Sequence, residues 1–516
     1  MLKLKIDNRE VEAEAGTVLI EVIRQSGIEV PSMCYLKGLP HFSSCMVCVV
    51  KDRISGKMVP SCSLEVQEGM DMVSDDDEVF QARKTALELL LSEHVGDCEA
   101  PCQVSCPAHM DIPMMNRLLA RGEFAEALKV VKRDIALPSV LGRICSAPCE
   151  GACRRRSIDE AVSICLLKRS AGDADLDLDH SWIPQKMAVT GKQVRVIGAG
   201  PAGLSAAWHL VLKGHNVTLI DRHERAGGSM RGVKEEELPQ GVLQKETDLI
   251  KQAGVSFQSG IEVDEKRFKK IVSESDAVVV AVGQGESGIA GWGLPMHPKG
   301  VEADPITYRV EGTPVFVVGS ALKPTRMAIR ALGQGKEVAF SVDQYLQGKT
   351  VKGEKFMFNS RFGKLDPSEY AEYMKESVTG NRIVPARMVD GLDREQVMKE
   401  AARCLHCDCR ELENCRLRIY SDQYGTDQKR FKSDQRLLCT KADQHEYVIY
   451  EASKCIKCGL CVRITEKYKE DFGMTFIGRG FEVVVGIPFH ESLERGLKKV
   501  ALEVAEACPT GAICKK

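Results

Sequence analysis

The sequence predicts a multidomain chain built of α/β and α+β parts. Its 516 residues exceed the roughly 250–300 that a single core sustains. Residues 193–349 alternate strand-like and helix-like patterns, as a parallel sheet with crossover helices requires. The 21 cysteines fall in tight bursts instead of scattering, which is the pattern of metal or iron–sulfur sites and not of disulfides. With 71 basic against 73 acidic residues the net charge is −2, and aromatics make up only 5%, so nothing suggests a nucleic-acid partner.

Taken in order, residues 1–80 read as a small β-grasp unit. "LKLKIDNREVEA" is a hairpin turning at Asp7-Asn8, and "GTVLIEVIRQSG" is a helix ending at Gly27. The charged, alternating N-terminus reads as a strand and not as an export signal, and no apolar run approaches the roughly 20 residues of a membrane span. A reducing, cytoplasmic setting is therefore expected. Residues 81–180 are helical, with apolar positions at helical period in "VFQARKTALELLLSEH" and "MNRLLARGEFAEALKVVKRD". A polar, Pro/Gly-punctuated linker leads to the α/β domain at 193–349. Residues 350–440 read as a second polar stretch with a compact cysteine group, and 441–516 as a small cysteine-bearing domain.

Cys34, Cys45, Cys48 and Cys62 are spaced C-x10-C-x2-C-x13-C on loops of the β unit. Four such thiolates suit a [2Fe–2S] centre, whose irons each take two sulfurs. A zinc site is the alternative, although zinc favours two short CxxC pairs. With "GIEVPSMCY" and "SCMVC", this region resembles the N-terminal ferredoxin-like domain of the large iron–sulfur subunit of complex I. Relatives of that domain occur among NAD(P)-linked hydrogenases and formate dehydrogenases.

"CQVSCPA" and "GRICSAPCEGAC" resemble the N-terminal domain of the glutamate synthase small subunit, a module with two interleaved [4Fe–4S] clusters. Carried over by position, Cys102 and Cys153 belong with Cys98, and Cys106 with Cys145 and Cys149. Each cluster then lacks a ligand, because the module's opening C-x2-C pair is missing. His94 offers H-x3-C to Cys98, and an imidazole in place of a thiolate raises a cluster's potential. Alternatively it simply ends its helix, where the dipole favours it. Cys165 lies where related modules present a fourth ligand, or is a buried apolar thiol.

"KQVRVIGAGPAGLSAAWHLVLKGHNVTLID" runs strand, GxGxxG, helix, strand, acid. Gly198 makes the turn, Gly200 admits a pyrophosphate, Gly203 packs helix on strand, and Asp221 is placed for a ribose hydroxyl. With "RAGGSMRG", containing Gly228, and the later strand ending at Gly319, this resembles the Rossmann-like FAD domain of the glutamate synthase small subunit. Two departures stand out. Ser320 replaces an aspartate that in that family touches the flavin, leaving FAD either weakly held or lost. The family's inserted NADPH domain is also missing, since about 30 residues cannot form another dinucleotide unit. "GQGESG" at 283–288 spells GxGxxG, but glycines and prolines follow where a helix should start, so it is read as a chance match.

Cys404, Cys407, Cys409 and Cys415 make a compact set that suits [4Fe–4S] or zinc. Cys455, Cys458 and Cys461 with Cys508-Pro509 follow the bacterial ferredoxin pattern for one [4Fe–4S] cluster. Cys439 and Cys514 receive no role.

Together the resemblances imply an electron-transfer subunit with one [2Fe–2S], three or four [4Fe–4S] clusters and FAD. They also imply an oxidoreductase complex around it. Its partners would be an NAD(P)H-oxidising flavin subunit, ferredoxin, and a catalytic hydrogenase- or formate dehydrogenase-type subunit, with electron bifurcation as one arrangement. No acid–base constellation is evident, so no catalytic residue is assigned. The alternatives are an NADPH-dependent donor like the glutamate synthase small subunit, or a scaffold with vestigial sites.

Overall fold

Strand β1 (Leu2–Ile6) folds back onto β2 (Arg9–Ala13) through Asp7 and Asn8, both left-handed at φ 48° and 66°. A two-residue hairpin demands that conformation, and Asp and Asn tolerate it. With β3 (Val49–Asp52), β4 (Met58–Pro60) and β5 (Asp71–Val73) they form a five-stranded sheet in the order β2–β1–β5–β3–β4. Strand β5 is parallel to β1 and antiparallel to β3, a mixed sheet with the helix Leu19–Gln25 laid on one face. That helix buries Leu19, Ile20, Val22 and Ile23 against Leu4, Ile6 and Met72.

The computed structural model describes residues 1–284, 289–432 and 436–516. Two units emerge, each assembled from separate stretches of chain. The first joins residues 1–99, 357–376 and 407–516; the second joins 100–356 and 377–406.

In the first unit the helix Asp77–Glu93 begins at Asp76, whose carboxylate accepts from the Val79 N–H at 2.8 Å. Arg83 on that helix donates to the Val49 carbonyl and to the Tyr424 hydroxyl. The C-terminal segment adds a three-stranded antiparallel sheet (Lys441–Ala442, Val448–Glu451, Ile513–Lys515) and the helices Leu460–Lys467 and Ala501–Ala507. Met33, Val47 and Leu87 share a core with Leu417, Ile456 and Leu460, so the first and last parts of the sequence fold together.

The second unit opens with helices. The stretch expected to be one helical run is two, Ile112–Ala120 and Phe124–Asp134, because Gly122 turns left-handed at φ 76°. The helices Pro138–Ile144 and Ile164–Leu176 cross closely at two glycines. A Cβ on Gly142 would lie 2.3 Å from the Arg169 Cβ, and one on Gly172 would lie 2.5 Å from the Ser139 Oγ. A fully parallel sheet follows: β6 (Gln193–Ile197), β7 (Asn216–Ile220), β8 (Ser256–Gln258), β9 (Ala277–Val280) and β10 (Val315–Val317). Its order is β10–β9–β6–β7–β8. Between β9 and β10 the described residues hold one short strand pair, Met296–His297 with Gly300–Val301, and a helical turn at Ala290–Trp292. Most of the "GQGESG" motif, residues 285–288, lies outside the described residues.

The polar stretch after residue 350 carries more structure than its composition suggests. The helix Arg394–Ala401 is fixed by a capping box between Asp393 and Gln396, and it packs on Ile112–Ala120.

Candidate metal and nucleotide sites

In the first unit, Cys34, Cys45, Cys48 and Cys62 are all buried around one loop system. Ser43 and Met46 are left-handed there, at φ 50° and 53°, which coils the chain so that successive side chains face inward. The Cys34 and Cys45 sulfurs are 3.4 Å apart, and the Cys62 sulfur is 3.6 Å from the Ser43 hydroxyl.

The C-terminal thiols line a small cavity. Cys455, Cys458, Cys461 and Cys508 all line it, and Ile456, Leu460 and Val485 make its wall apolar. Lys457 (φ 55°) and Gly459 (φ 75°) bend the CxxCxxC run around it. Backbone donors point at the sulfurs: Lys457 N–H at 3.3 Å from Cys455 and Ile513 N–H at 3.5 Å from Cys508. Burial pushes the Cys455 thiol up to about 11, so an unligated site holds neutral thiols and binding a metal releases protons.

In the second unit four further thiols converge on one cation. Cys145 follows the helix Pro138–Ile144, Cys149 sits in the turn Pro148–Gly151, and Cys165 lies in the first turn of Ile164–Leu176. One helical turn after Cys165, at i+3, stands Lys168, which is only 3% exposed. Its ammonium is 4.0 Å from the Cys165 sulfur and within electrostatic reach of Cys145, Cys149 and Cys106. Among the described residues no carboxylate pairs with it. A buried ammonium without a counter-ion costs several kcal/mol, whereas four thiolates carrying a cluster supply the missing negative charge. The donor set thus fits an anionic iron–sulfur group. Glu150 ties the site together, accepting from the Cys165 N–H at 2.9 Å and from Arg382 at 2.5 Å.

The 404–415 motif, expected to be one compact site, has further thiols close to its members. Cys404 belongs to the second unit, where its thiol lies against the Asn116 side chain and within reach of Cys153. Cys407, Cys409 and Cys415 belong to the first. Cys98 lies within electrostatic reach of Cys409 and Cys415 in that unit. Cys404, on the far side of the α/β domain in sequence, thus places a thiol near Cys153. His94 does end its helix, yet its Nδ1 also lies 2.9 Å from the Lys454 carbonyl oxygen. Sequence reasoning missed Lys168 and Asn116, although a lysine three residues after a ligand-position cysteine was a readable signal.

The dinucleotide loop follows β6. Gly198 is left-handed at φ 108°, and a Cβ there would lie 2.4 Å from the Ala281 carbonyl. On Gly203 a Cβ would meet the Gly198 carbonyl oxygen at 1.8 Å, so the helix Pro201–Leu212 seats only on glycine. Gly228 (φ 51°) closes over Gly200, where a Cβ would come to 2.7 Å. The space in front of Gly200 is open, leaving the helix N-terminus for a phosphate. Asp221 accepts from the Ala199 N–H at 2.6 Å and from the His223 N–H at 2.7 Å, so it braces the loop. Gly319 (φ 66°) donates to Gln334 at 2.9 Å, and the Ser320 hydroxyl is engaged within its own loop by Thr325.

Residues 1–77 match the family model of a 2Fe-2S iron-sulfur cluster binding domain. Residues 77–179 match dihydropyrimidine dehydrogenase domain II with its 4Fe-4S cluster, and residues 196–253 an NAD(P)-binding Rossmann-like domain. Two of the three are iron–sulfur cluster domains and the third is a nucleotide-binding domain. The chain is 33% identical over 248 residues to the NADPH-Fe(3+) oxidoreductase subunit beta of Geobacter sulfurreducens, covering 46% of this chain and 35% of that protein. It is 36% identical over 218 residues to the NADP(+)-dependent formate dehydrogenase subunit beta of Moorella thermoacetica (37% and 31%). With the glutamate synthase [NADPH] small chain of Halomonas elongata it shares 31% identity over 294 residues (52% and 62%). The chain thus spans about a third of the first two relatives' length. A solved NAD+-reducing [NiFe]-hydrogenase aligns at 25% identity and a TM-score of 0.18, over 23% of this chain and 49% of that one. No helix among the described residues is long and apolar enough to cross a membrane.

Proposed function

We propose that this chain is an iron–sulfur and flavin electron-transfer subunit of a cytoplasmic multi-subunit oxidoreductase. It relays electrons between an NAD(P)H-oxidising flavin subunit, ferredoxin, and a catalytic partner of hydrogenase or formate dehydrogenase type. The observation that carries this reading is the apolar cavity lined by Cys455, Cys458, Cys461 and Cys508. Four thiols around one apolar-walled space suit a metal cluster, and their bacterial ferredoxin spacing favours iron–sulfur. The buried Lys168 among Cys106, Cys145, Cys149 and Cys165 supports the same reading independently.

On this reading Cys34, Cys45, Cys48 and Cys62 hold a [2Fe–2S] centre, and the Lys168 and C-terminal sets each hold a [4Fe–4S] cluster. Cys102, Cys153 and Cys404 supply ligands to another, Cys404 lying within electrostatic reach of Cys153. FAD occupies the loop at Gly198, Gly200, Gly203 and Gly228. When bound, these groups supply one- and two-electron redox chemistry. The chain's own residues space the sites, exclude water from them and aim N–H donors at sulfur. Within the first unit, Cys34 lies within electrostatic reach of Cys458, and Cys508 within reach of Cys415, so its thiol sets follow one another without a gap.

The test is copurification from the native host with NADPH–dye assays on the pure chain. The relay predicts bound partner subunits and no steady-state NADPH oxidation by the chain alone. A second reading, an NADPH-dependent donor, is favoured by the NAD(P)-binding description of the domain matched at 196–253. Steady-state dye reduction by the pure chain would establish that reading and overturn the relay.

A further inference from the structure

In the second unit the helix Ala328–Leu346 lies between the loop after Cys106 and the dinucleotide helix Pro201–Leu212. A Cβ on Gly333 would lie 2.4 Å from the Pro107 carbonyl oxygen, and one on Gly335 would lie 2.4 Å from the Ala202 carbonyl oxygen. Lys336 and Glu337 follow directly, and neither belongs to the sites described above.

Lys336 is 7% exposed, and three oxygens surround its ammonium. It donates to the Asp134 carboxylate at 2.9 Å and to the Ala108 carbonyl at 3.3 Å, and it pairs with Glu354 at 3.3 Å. Ala108 is two residues past Cys106, so the lysine ties this helix to the ligand loop. Glu337 accepts a hydrogen bond from the buried Tyr308 hydroxyl. Tyr308 is fixed in turn, its carbonyl accepting from the Val317 N–H of β10 at 2.8 Å.

The groups facing Glu337 are Tyr308, Glu354, Lys336 and His109. Behind Lys336 stand Asp134, with the Arg133 guanidinium 3.5 Å from it, and His209. The carboxylates of Asp134, Glu337 and Glu354 thus share one buried ammonium. Among the described residues no cation forms an ion pair with Glu337 itself. Burial, and then the Glu354 carboxylate, pushes the Glu337 carboxyl up, while the Tyr308 hydroxyl opposes them. A carboxyl so placed takes up a proton when more negative charge arrives nearby.

We propose that Glu337, held by Tyr308, is a redox-linked proton site that binds one proton from water when the iron–sulfur centre on the Cys106 loop gains an electron. The carboxylate becomes a carboxylic acid, the electron stays on the centre, and the two added charges cancel. The proposal rests on the iron–sulfur reading of Cys106, Cys145, Cys149 and Cys165. An iron–sulfur centre passes on electrons without protons, whereas a two-electron flavin takes up both. Glu337 holds such a proton on the helix that packs against the dinucleotide helix.

The test is an EPR-detected redox titration of the full chain purified without oxygen, between pH 5 and pH 8, as wild type, Glu337→Gln and Tyr308→Phe. In the wild type the midpoint of one [4Fe–4S] signal falls as pH rises, its oxidised-to-reduced ratio at fixed potential changing about tenfold, or 59 mV. Glu337→Gln keeps that signal and makes its midpoint flat. Tyr308→Phe removes a donor that stabilises the carboxylate, so the fall moves to higher pH. Redox-difference infrared spectra show a protonated-carboxyl band on reducing the wild type, and Glu337→Gln lacks it. A midpoint that is flat in the wild type, or that falls equally in Glu337→Gln, overturns the proton site and leaves the clusters in place. If Glu337→Gln does not fold, an unmoved inflection in Tyr308→Phe overturns it. Wild-type protein without iron sinks the underlying reading of the chain, and this site with it.

Discussion

Replacing Lys168 by methionine removes a buried charge while keeping the apolar stem that packs beneath the thiols. The ammonium lies 4.0 Å from the Cys165 sulfur. Two unit charges at that separation interact by about 4 kcal/mol at an effective dielectric of about 20. An electron added to a cluster spreads over atoms farther away than that sulfur, so roughly 2 kcal/mol is the relevant share. For a one-electron couple this corresponds to about 90 mV. Lys168→Met should therefore lower the midpoint of one [4Fe–4S] centre by about 90 mV, and Lys168→Arg should restore most of it. An anaerobic redox titration followed by EPR reads the shift directly. A methionine variant that retains this signal at an unmoved midpoint would refute the view that the lysine compensates an anionic cluster.

Other consequences follow from the second unit. Cys404→Ser should remove one cubane signal while leaving the Lys168-linked centre in place, as EPR and iron analysis would show. Gly203→Ala should abolish flavin binding and cost more than about 3 kcal/mol, because its Cβ would sit 1.8 Å from the Gly198 carbonyl oxygen. Thermal melts and flavin absorbance read both effects. His209, deeply buried and facing the Lys336 and Lys213 ammoniums, is pushed down to about 3 by burial. Its proton binds more weakly in the folded than in the unfolded chain, whose histidine titrates near 6.5. The stability it contributes is complete above pH 6.5 and is lost as pH falls, by about 2 kcal/mol at pH 5. Denaturation at pH 7 and 5 should show that slope, and His209→Gln should flatten it.

Short-range chemistry made much of this molecule legible before its structure. The Asp7-Asn8 turn, the helix ending at Gly27 and the GxGxxG loop each depend on residues within a few positions of one another. The four N-terminal and four C-terminal thiols were likewise grouped by their own spacing. What could not be read was grouping across long separations. Cys404 sits beside Cys153, and Cys98 beside Cys409, because the chain returns to its helical segment after the whole α/β domain is complete. Spacing within "CLHCDCRELENC" marks four close thiols but nothing local marks that return. The helix Arg394–Ala401 was hidden by polar composition, though its D-x-x-Q capping box was present in the sequence. Lys168 shows a different gap: a lysine on an amphipathic helix reads as solvated until the burial around it is known.

Quantifying iron, acid-labile sulfide, zinc and flavin in the full chain purified without oxygen tests the electron-transfer role most directly. The proposed role predicts roughly 14–18 iron atoms with matching sulfide and one FAD per chain, one of the centres being a [2Fe–2S]. Zinc with neither iron nor flavin would contradict it and make the chain a scaffold.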